Sequence, residues 1–221
     1  MYDKNKTCSM FAEELSSIVN RDADIKDKKN KGQFFTSASV AKTMATMVKF
    51  DKKVLKVLDP GSGIGILIAA IVDRVIEENL DVHLKIDAYE NDKKVVTYLE
   101  ETFKYCKKRL KDKGKKFTYR ILETDFILSN RVIFEEGIKK NKEKFYDLVI
   151  SNPPYFKVNK QHAYSKALYN YIYGQPNVYF MFIIVGIKFL KKNGQLVFIS
   201  PRSYCSGAYF ALFREFFLTE V

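Results

Sequence analysis

The stretch Val54-Leu55-Lys56-Val57-Leu58-Asp59-Pro60-Gly61-Ser62-Gly63-Ile64-Gly65 decides the fold. Its first five residues, mostly Val and Leu, predict a buried strand. The next seven hold Pro60 and three glycines and predict a tight turn, after which the apolar run from Ile64 to Glu78 predicts a helix. A strand passing through a glycine turn into a helix is the opening unit of an open α/β sheet, because glycine lets the backbone approach a ligand at a helix N-terminus. Working outward, Leu84 to Tyr89, Phe117 to Leu122, Leu148 to Ile150 and Leu196 to Ile199 predict four further strands. Asp92 to Lys111, Val132 to Lys140, Val178 to Leu190 and Ala208 to Leu218 predict the helices between and after them. Such alternation needs crossover connections and gives a mostly parallel, doubly wound α/β sheet covered on both faces.

Ahead of this unit, Phe11, Leu15, Ile18 and Val19 recur at helical spacing, and a charged run, Arg21 to Lys31, reads as a connection. Residues 1–31 are therefore expected to be a helical extension and 32–221 the main domain. Within the latter, Ser37 to Lys49 predicts a helix with Val40, Met44, Met47 and Val48 on one face and Thr36 or Ser37 as its cap. A chain of 221 residues, 47% of them hydrophobic, suffices for one buried core. The most apolar run, Phe180 to Leu190, is short and broken by Gly186 and Lys188, and Met1 to Lys6 is too polar for a secretory signal. A soluble, cytoplasmic protein is expected. Cys8, Cys106 and Cys205 are odd in number, far apart and outside any metal-ligand spacing, so they read as reduced bystanders. A net charge of +12 suits a polyanionic partner, although a lysine-rich excess suits a solvated surface equally.

The glycine turn excludes two common ligands. A phosphate loop ends on Gly-Lys-Ser/Thr where this chain has Ile64-Gly65-Ile66, and the dinucleotide fingerprint needs a third glycine at the position of Ile66. A cofactor with an amino-acid moiety and no pyrophosphate fits better, since Asp59 can hold a cationic amine; the plainer alternative is a turn capped by Asp59. Glu90 ends the second strand, where a carboxylate can accept from both hydroxyls of a ribose, unless it is an ordinary exposed residue. Asp125 and Phe126 end the third, where one side chain can accept from an adenine amine while the other packs on its face.

Ser151-Asn152-Pro153-Pro154-Tyr155 follows the buried run Tyr146 to Ile150. Two prolines hold the backbone extended and remove two amide donors, so the turn displays acceptors without competing donors. An aromatic amine is a poor nucleophile because its lone pair is delocalised. If the Asn152 side-chain oxygen and the Pro153 carbonyl each accept one of its hydrogens, the nitrogen is drawn toward tetrahedral geometry and its lone pair is aimed outward. Tyr155 would stack on the base. The plainer alternative is a rigid proline turn.

In chain order, Gly32-Gln33-Phe34-Phe35-Thr36, Asp59 to Gly65 and Asn152-Pro153-Pro154-Tyr155 resemble motifs ten, one and four of the gamma-class DNA adenine-N6 methyltransferases of bacterial restriction-modification systems. The resemblance runs from Gly32 to about Leu218 and implies a Rossmann-like sheet that uses S-adenosylmethionine. It implies that Thr36, Asp59, Gly61, Gly63, Glu90, Asp125, Phe126 and Asn152 line the cofactor site. Asn152, Pro153, Pro154 and Tyr155 would receive an adenine flipped out of double-stranded DNA, for direct transfer without a metal. Enzymes methylating a protein glutamine amide share Asn-Pro-Pro-Tyr but not Gly-Gln-Phe-Phe-Thr. Methylation of another nucleic-acid amine, and a non-catalytic DNA-binding subunit keeping the fold, remain as rivals.

The family carries a further strand pair and a target-recognition domain after the last helix, whereas this sequence stops at Thr219-Glu220-Val221. The expectation is a catalytic core with the final strand pair missing, an open edge at Gln195 to Ser200, and a recognition subunit or C-terminal domain supplied elsewhere. His83 and His162 have no ligand partners nearby in sequence. Cys205 follows Tyr204 rather than a proline, against cytosine carbon-5 chemistry. Lys157 to Gly174, with His162, Tyr164, Tyr169, Tyr171 and Tyr173, reads either as a DNA-facing loop or as a folded one.

Overall fold

Five strands carry the molecule: β1 (Val54–Pro60), β2 (His83–Glu90), β3 (Phe117–Glu123), β4 (Tyr146–Ser151) and β5 (Leu190–Phe198). They are seen in a computed structural model that describes residues 5–22, 35–134, 145–172, 176–202 and 211–220. All pairs are parallel and the order is β3-β2-β1-β4-β5. The chain winds outward from β1 to β3 and then returns to the other side of β1 to make β4. Winding therefore reverses between β1 and β4, and a doubly wound sheet opens a crevice at the carboxyl ends of the strands there.

The helices are α1 (Cys8–Asp22), α2 (Ala38–Thr46), α3 (Ile66–Glu77), α4 (Lys93–Lys111), the short α5 (Phe126–Ser129) and α6 (Ala163–Ala167), then α7 (Val178–Phe189) and α8 (Ala211–Glu220). Side chains alternate across a strand, so Leu55 and Val57 of β1 with Leu148 and Ile150 of β4 enter the core beneath α1 to α4. Leu58 and Val149 point the other way, into the core beneath α7 and α8. Residues 178–187 of α7 are all buried. Helix α1 belongs to the first core through Cys8 and Ala12, and the buried Asp73 of α3 accepts from the Cys8 and Ser9 amides at 2.6 and 2.8 Å and from the Ser9 hydroxyl at 2.6 Å. That carboxylate satisfies the amide donors that open α1.

Several expectations need correction. The helix foreseen over Val132 to Lys140 begins as a 3₁₀ turn, Arg131–Phe134, preceded by the unforeseen α5; its remainder lies outside the described residues. Strand β3 stops at Glu123, so Asp125 caps α5 instead of ending the strand. Strand β5 starts six residues early and pairs with β4 across an irregularity, with Leu190 opposite Tyr146 and Gln195 opposite Leu148. Ser37, one of the two caps expected, caps α2; of the face expected from Val40, Met44, Met47 and Val48, Met44 and Val48 are buried while Val40 and Met47 are 41% and 60% exposed. Cys8 and Cys106, remote in sequence, meet in the core: the Cys106 hydrogen bond first and burial second push the Cys8 thiol far up. Cys205, Tyr173 and Gly32 to Phe34 lie outside the described residues, as does most of the charged run after Arg21. No helix among the described residues is long and apolar enough to cross a membrane.

Candidate functional site

The crevice is assembled by short bonds between strand ends. The Ser151 hydroxyl donates to the Pro60 carbonyl at 2.5 Å, which sets the end of β4 beside the glycine turn of β1. The Ser62 amide donates to the Tyr89 carbonyl at 2.8 Å and ties that turn to β2. Gly65 caps α3 with φ of 82°, and a Cβ there would stand 2.7 Å from the Leu99 side chain, so only glycine passes. Glu90 fastens both sides of the crevice. Its carboxylate accepts from the Gly63 amide at 3.0 Å and the Asp92 amide at 2.9 Å. It is 6% exposed, and burial raises its carboxyl above the usual range although the Asp92 and Gly63 amides oppose the shift.

Two cavities open here. The first, about 520 Å³, is lined by Gly61, Gly63, Glu90, Asp125, Phe126 and Asn152, together with Pro153 and Pro154. The second, about 490 Å³, is lined by Thr36 and Tyr155 with Ile199 and Pro201. Phe35 and Asn152 line both, so the two cavities adjoin there. Thus ten of the eleven residues expected at the site border one cavity or the other, but they are divided. Thr36, expected beside the cofactor, borders only the second cavity, where its hydroxyl accepts from Asn152 Nδ2 at 3.0 Å.

Asp59 is the eleventh. It is fully buried and borders neither cavity, and both of its oxygens lack a hydrogen-bond partner among the described residues. Burial holds its carboxyl well above the usual range; Ser62 opposes the shift and Glu90 adds to it. Asp125 borders the first cavity with its carboxylate already engaged. One oxygen accepts from the Leu128 amide at 2.8 Å and the other from the Tyr164 hydroxyl, so both already have partners. Phe126 is 3% exposed and packs edge-on against Tyr89 at 5.0 Å, forming part of the floor. The Tyr155 hydroxyl is 2.8 Å from Asn152 Oδ1 and 2.8 Å from the Ile199 carbonyl, which pins the ring at the edge of the second cavity.

Sequence reasoning missed Phe182 and the roles of Phe35 and Tyr164. Phe182 lies on α7, where an unbroken apolar run hides which side chains face a ligand. Tyr164 was visible as one of several tyrosines, without a signal to single it out. His162 caps α6, its Nδ1 accepting from the Tyr164 amide at 3.2 Å. His83 sits 3.1 Å from Thr118 Oγ1, with burial first and then Lys85 and Lys116 holding its pKa down.

The glycine turn has the shape of a cradle. Gly61 and Gly63 have φ of 68° and 55°, and added Cβ atoms would approach Phe182 at 3.1 Å and Phe35 at 3.3 Å. A ligand can therefore lie against bare backbone between two aromatic rings, within reach of a buried carboxylate. That arrangement fits an elongated polar cofactor with a ribose.

Sheet order, cradle and strand-end carboxylate define the class I methyltransferase fold. A structure from Listeria monocytogenes, described as a class I S-adenosylmethionine-dependent methyltransferase, superposes with a TM-score of 0.65 over 98% of this chain and 61% of that one, at 16% identity. The methyltransferase subunit of a type I restriction-modification system from Streptococcus thermophilus gives 0.58 over 96% of this chain and 43% of the other, at 15% identity. Residues 72–221 match the Eco57I restriction-modification methylase family, and the chain belongs to it. It is similar to the type II methyltransferase M.BsuBI of Bacillus subtilis (34% identity over 203 residues, 89% of this chain) and to M.PstI of Providencia stuartii (29% over 212 residues, 96% of this chain). The chain spans 38% and 41% of the lengths of these two relatives.

Proposed function

We propose that this chain is the S-adenosylmethionine-binding, methyl-transferring part of a DNA methyltransferase that modifies the exocyclic N6 amine of adenine in a restriction-modification system. One observation carries the reading: the Asn152-Pro153-Pro154 turn borders the glycine-cradled cavity, and Asn152 also borders the second cavity beside Tyr155. Donor and acceptor of a methyl group need such adjoining sites with a shared wall. Membership of the Eco57I family and likeness to the type II methyltransferases M.BsuBI and M.PstI support it.

S-adenosylmethionine would supply a methyl group on a sulfonium. The chain's own residues would do the rest. Glu90 would accept from the ribose hydroxyls with the capacity left after its backbone bonds, and Gly61 and Gly63 would let the ligand approach the backbone. Asn152 Oδ1 and the Pro153 carbonyl would accept the amine hydrogens, and the rigid proline turn holds these acceptors ready before the reaction begins. Phe35 and Tyr155 would wall the base. The adenine must leave the duplex to reach them, because its amine is inaccessible in the stack.

Replacing Asn152 with Ala should lower methyl transfer to DNA by at least about a hundredfold while leaving S-adenosylmethionine affinity nearly intact, since the acceptor acts mainly on the amine as it reacts. Isotope transfer from labelled cofactor and calorimetric titration measure the two halves. Cofactor binding by the wild type without transfer to any DNA would instead favour a subunit that keeps the fold without the chemistry.

A further inference from the structure

Asn152 is held from both sides. Its Nδ2 donates to Thr36 Oγ1 at 3.0 Å, across 116 positions of sequence, and its Oδ1 lies 2.8 Å from the Tyr155 hydroxyl. Thr36 is itself anchored by its neighbours: Ser37 accepts from the Val40 amide to cap α2, and the Ala38 amide donates to Glu13 of α1 at 2.8 Å. Burial first, and Tyr179 second, push the Tyr155 phenol up to about 12, so at neutral pH the hydroxyl keeps its hydrogen. That single hydrogen faces two acceptors, Asn152 Oδ1 and the Ile199 carbonyl at 2.8 Å.

The two ends of a side-chain amide have nearly the same shape and opposite hydrogen-bonding character. An amide free to turn would spend part of its time with Oδ1 away from an amine that needs an acceptor, and a grip at both ends restrains it. We propose that Thr36 is a positioning residue that holds the Asn152 amide in place for the reacting amine. Its oxygen takes an Nδ2 hydrogen while the Tyr155 hydroxyl lies against Oδ1, so the amide is gripped at both ends beside the second cavity, which Thr36 and Tyr155 both border. The proposal rests on the functional reading above and assigns Thr36 to the reacting base instead of the cofactor. Tyr155 completes the device. Its hydroxyl hydrogen has two acceptors within reach, Oδ1 and the Ile199 carbonyl, and takes the carbonyl when an amine hydrogen arrives. The phenol hydrogen keeps an acceptor in either position.

The test is single-turnover methylation of a duplex carrying adenine opposite an abasic site, run beside calorimetric titration of S-adenosylmethionine. Thr36→Val keeps the shape and removes the acceptor; it should slow the single-turnover rate about tenfold to a hundredfold. Half-saturating DNA and cofactor affinity should stay within about twofold of wild type, as expected when only the reacting geometry is lost. Thr36→Ser should restore most of the rate. A wild-type rate in Thr36→Val, a loss confined to cofactor affinity, or no rescue by serine would each overturn the proposal while the functional reading stood. A wild-type chain that transfers no methyl group to DNA would remove both together.

Discussion

At the scale of single residues, the two buried carboxylates of the crevice have opposite uses. Glu90 borders the first cavity, where backbone amides including those of Gly63 and Asp92 hold its carboxylate. Glu90→Ala should weaken S-adenosylmethionine binding by about 1.5 to 3 kcal/mol, the worth of hydrogen bonds to a charged acceptor, as calorimetric titration would show. Because burial raises its carboxyl above the ordinary 4.5, wild-type affinity should rise with pH through the range just above that value as the acceptor becomes fully charged. Asp59 borders neither cavity, and its oxygens have no hydrogen-bond partner among the described residues. Its carboxyl lies above 3.8 in the folded chain, so the folded state holds that proton more tightly than the unfolded one. Its contribution to stability is therefore full below about 3.8 and is lost as pH rises toward the folded value. Asp59→Asn should flatten this slope and raise the neutral-pH melting temperature by about 2 to 4 °C per kcal/mol recovered, while changing cofactor affinity less than Glu90→Ala does. Thermal melts across about pH 4 to 8 would decide it; an unchanged slope would mean that Asp59 is not the source.

Elements differ in how plainly sequence announces them. Strands β1, β2 and β3 and helices α3 and α4 were legible within a residue or two at most ends, because their apolar periods are unbroken and glycine or Asp92 marks their starts. Helix α5 was not: four residues carry no period, and only its cap, Asp125, leaves a trace. The early start of β5 was hidden by Lys191-Lys192-Asn193-Gly194, which reads as a turn but lies within the strand's irregular pairing. At the site, local motifs announced the glycine cradle and the proline turn. The division into two cavities was not local, since Phe35 and Asn152 meet only through the fold. The place of α1 was equally hidden, because its clamp reaches from Asp73 across 64 and 65 positions. Asp73→Ala should cost about 2 to 4 kcal/mol by removing three hydrogen bonds at a helix start. Denaturant unfolding would measure the loss, and hydrogen exchange should place it first in residues 8–12.

Across the whole molecule, the sheet's polarity separates chemistry from charge. The carboxyl ends of β1, β2 and β4 build the cavities, while α4 leaves that end at Asp92 and runs about 28 Å away from it. Between Lys104 and Lys116 the chain carries eight basic residues against Asp112 alone, so much of the net charge of +12 lies toward the far end of the domain. Net charge is accordingly a poor guide to where substrate binds, and the adenine reading rests on the Asn152 turn. It is tested most directly by incubating the chain with methyl-labelled S-adenosylmethionine and duplex DNA, digesting the product to nucleosides and identifying the labelled one by mass spectrometry. The account predicts N6-methyl-2′-deoxyadenosine, absent in Asn152→Ala. Label in N4-methylcytosine, or on protein glutamine with none on DNA, would contradict it.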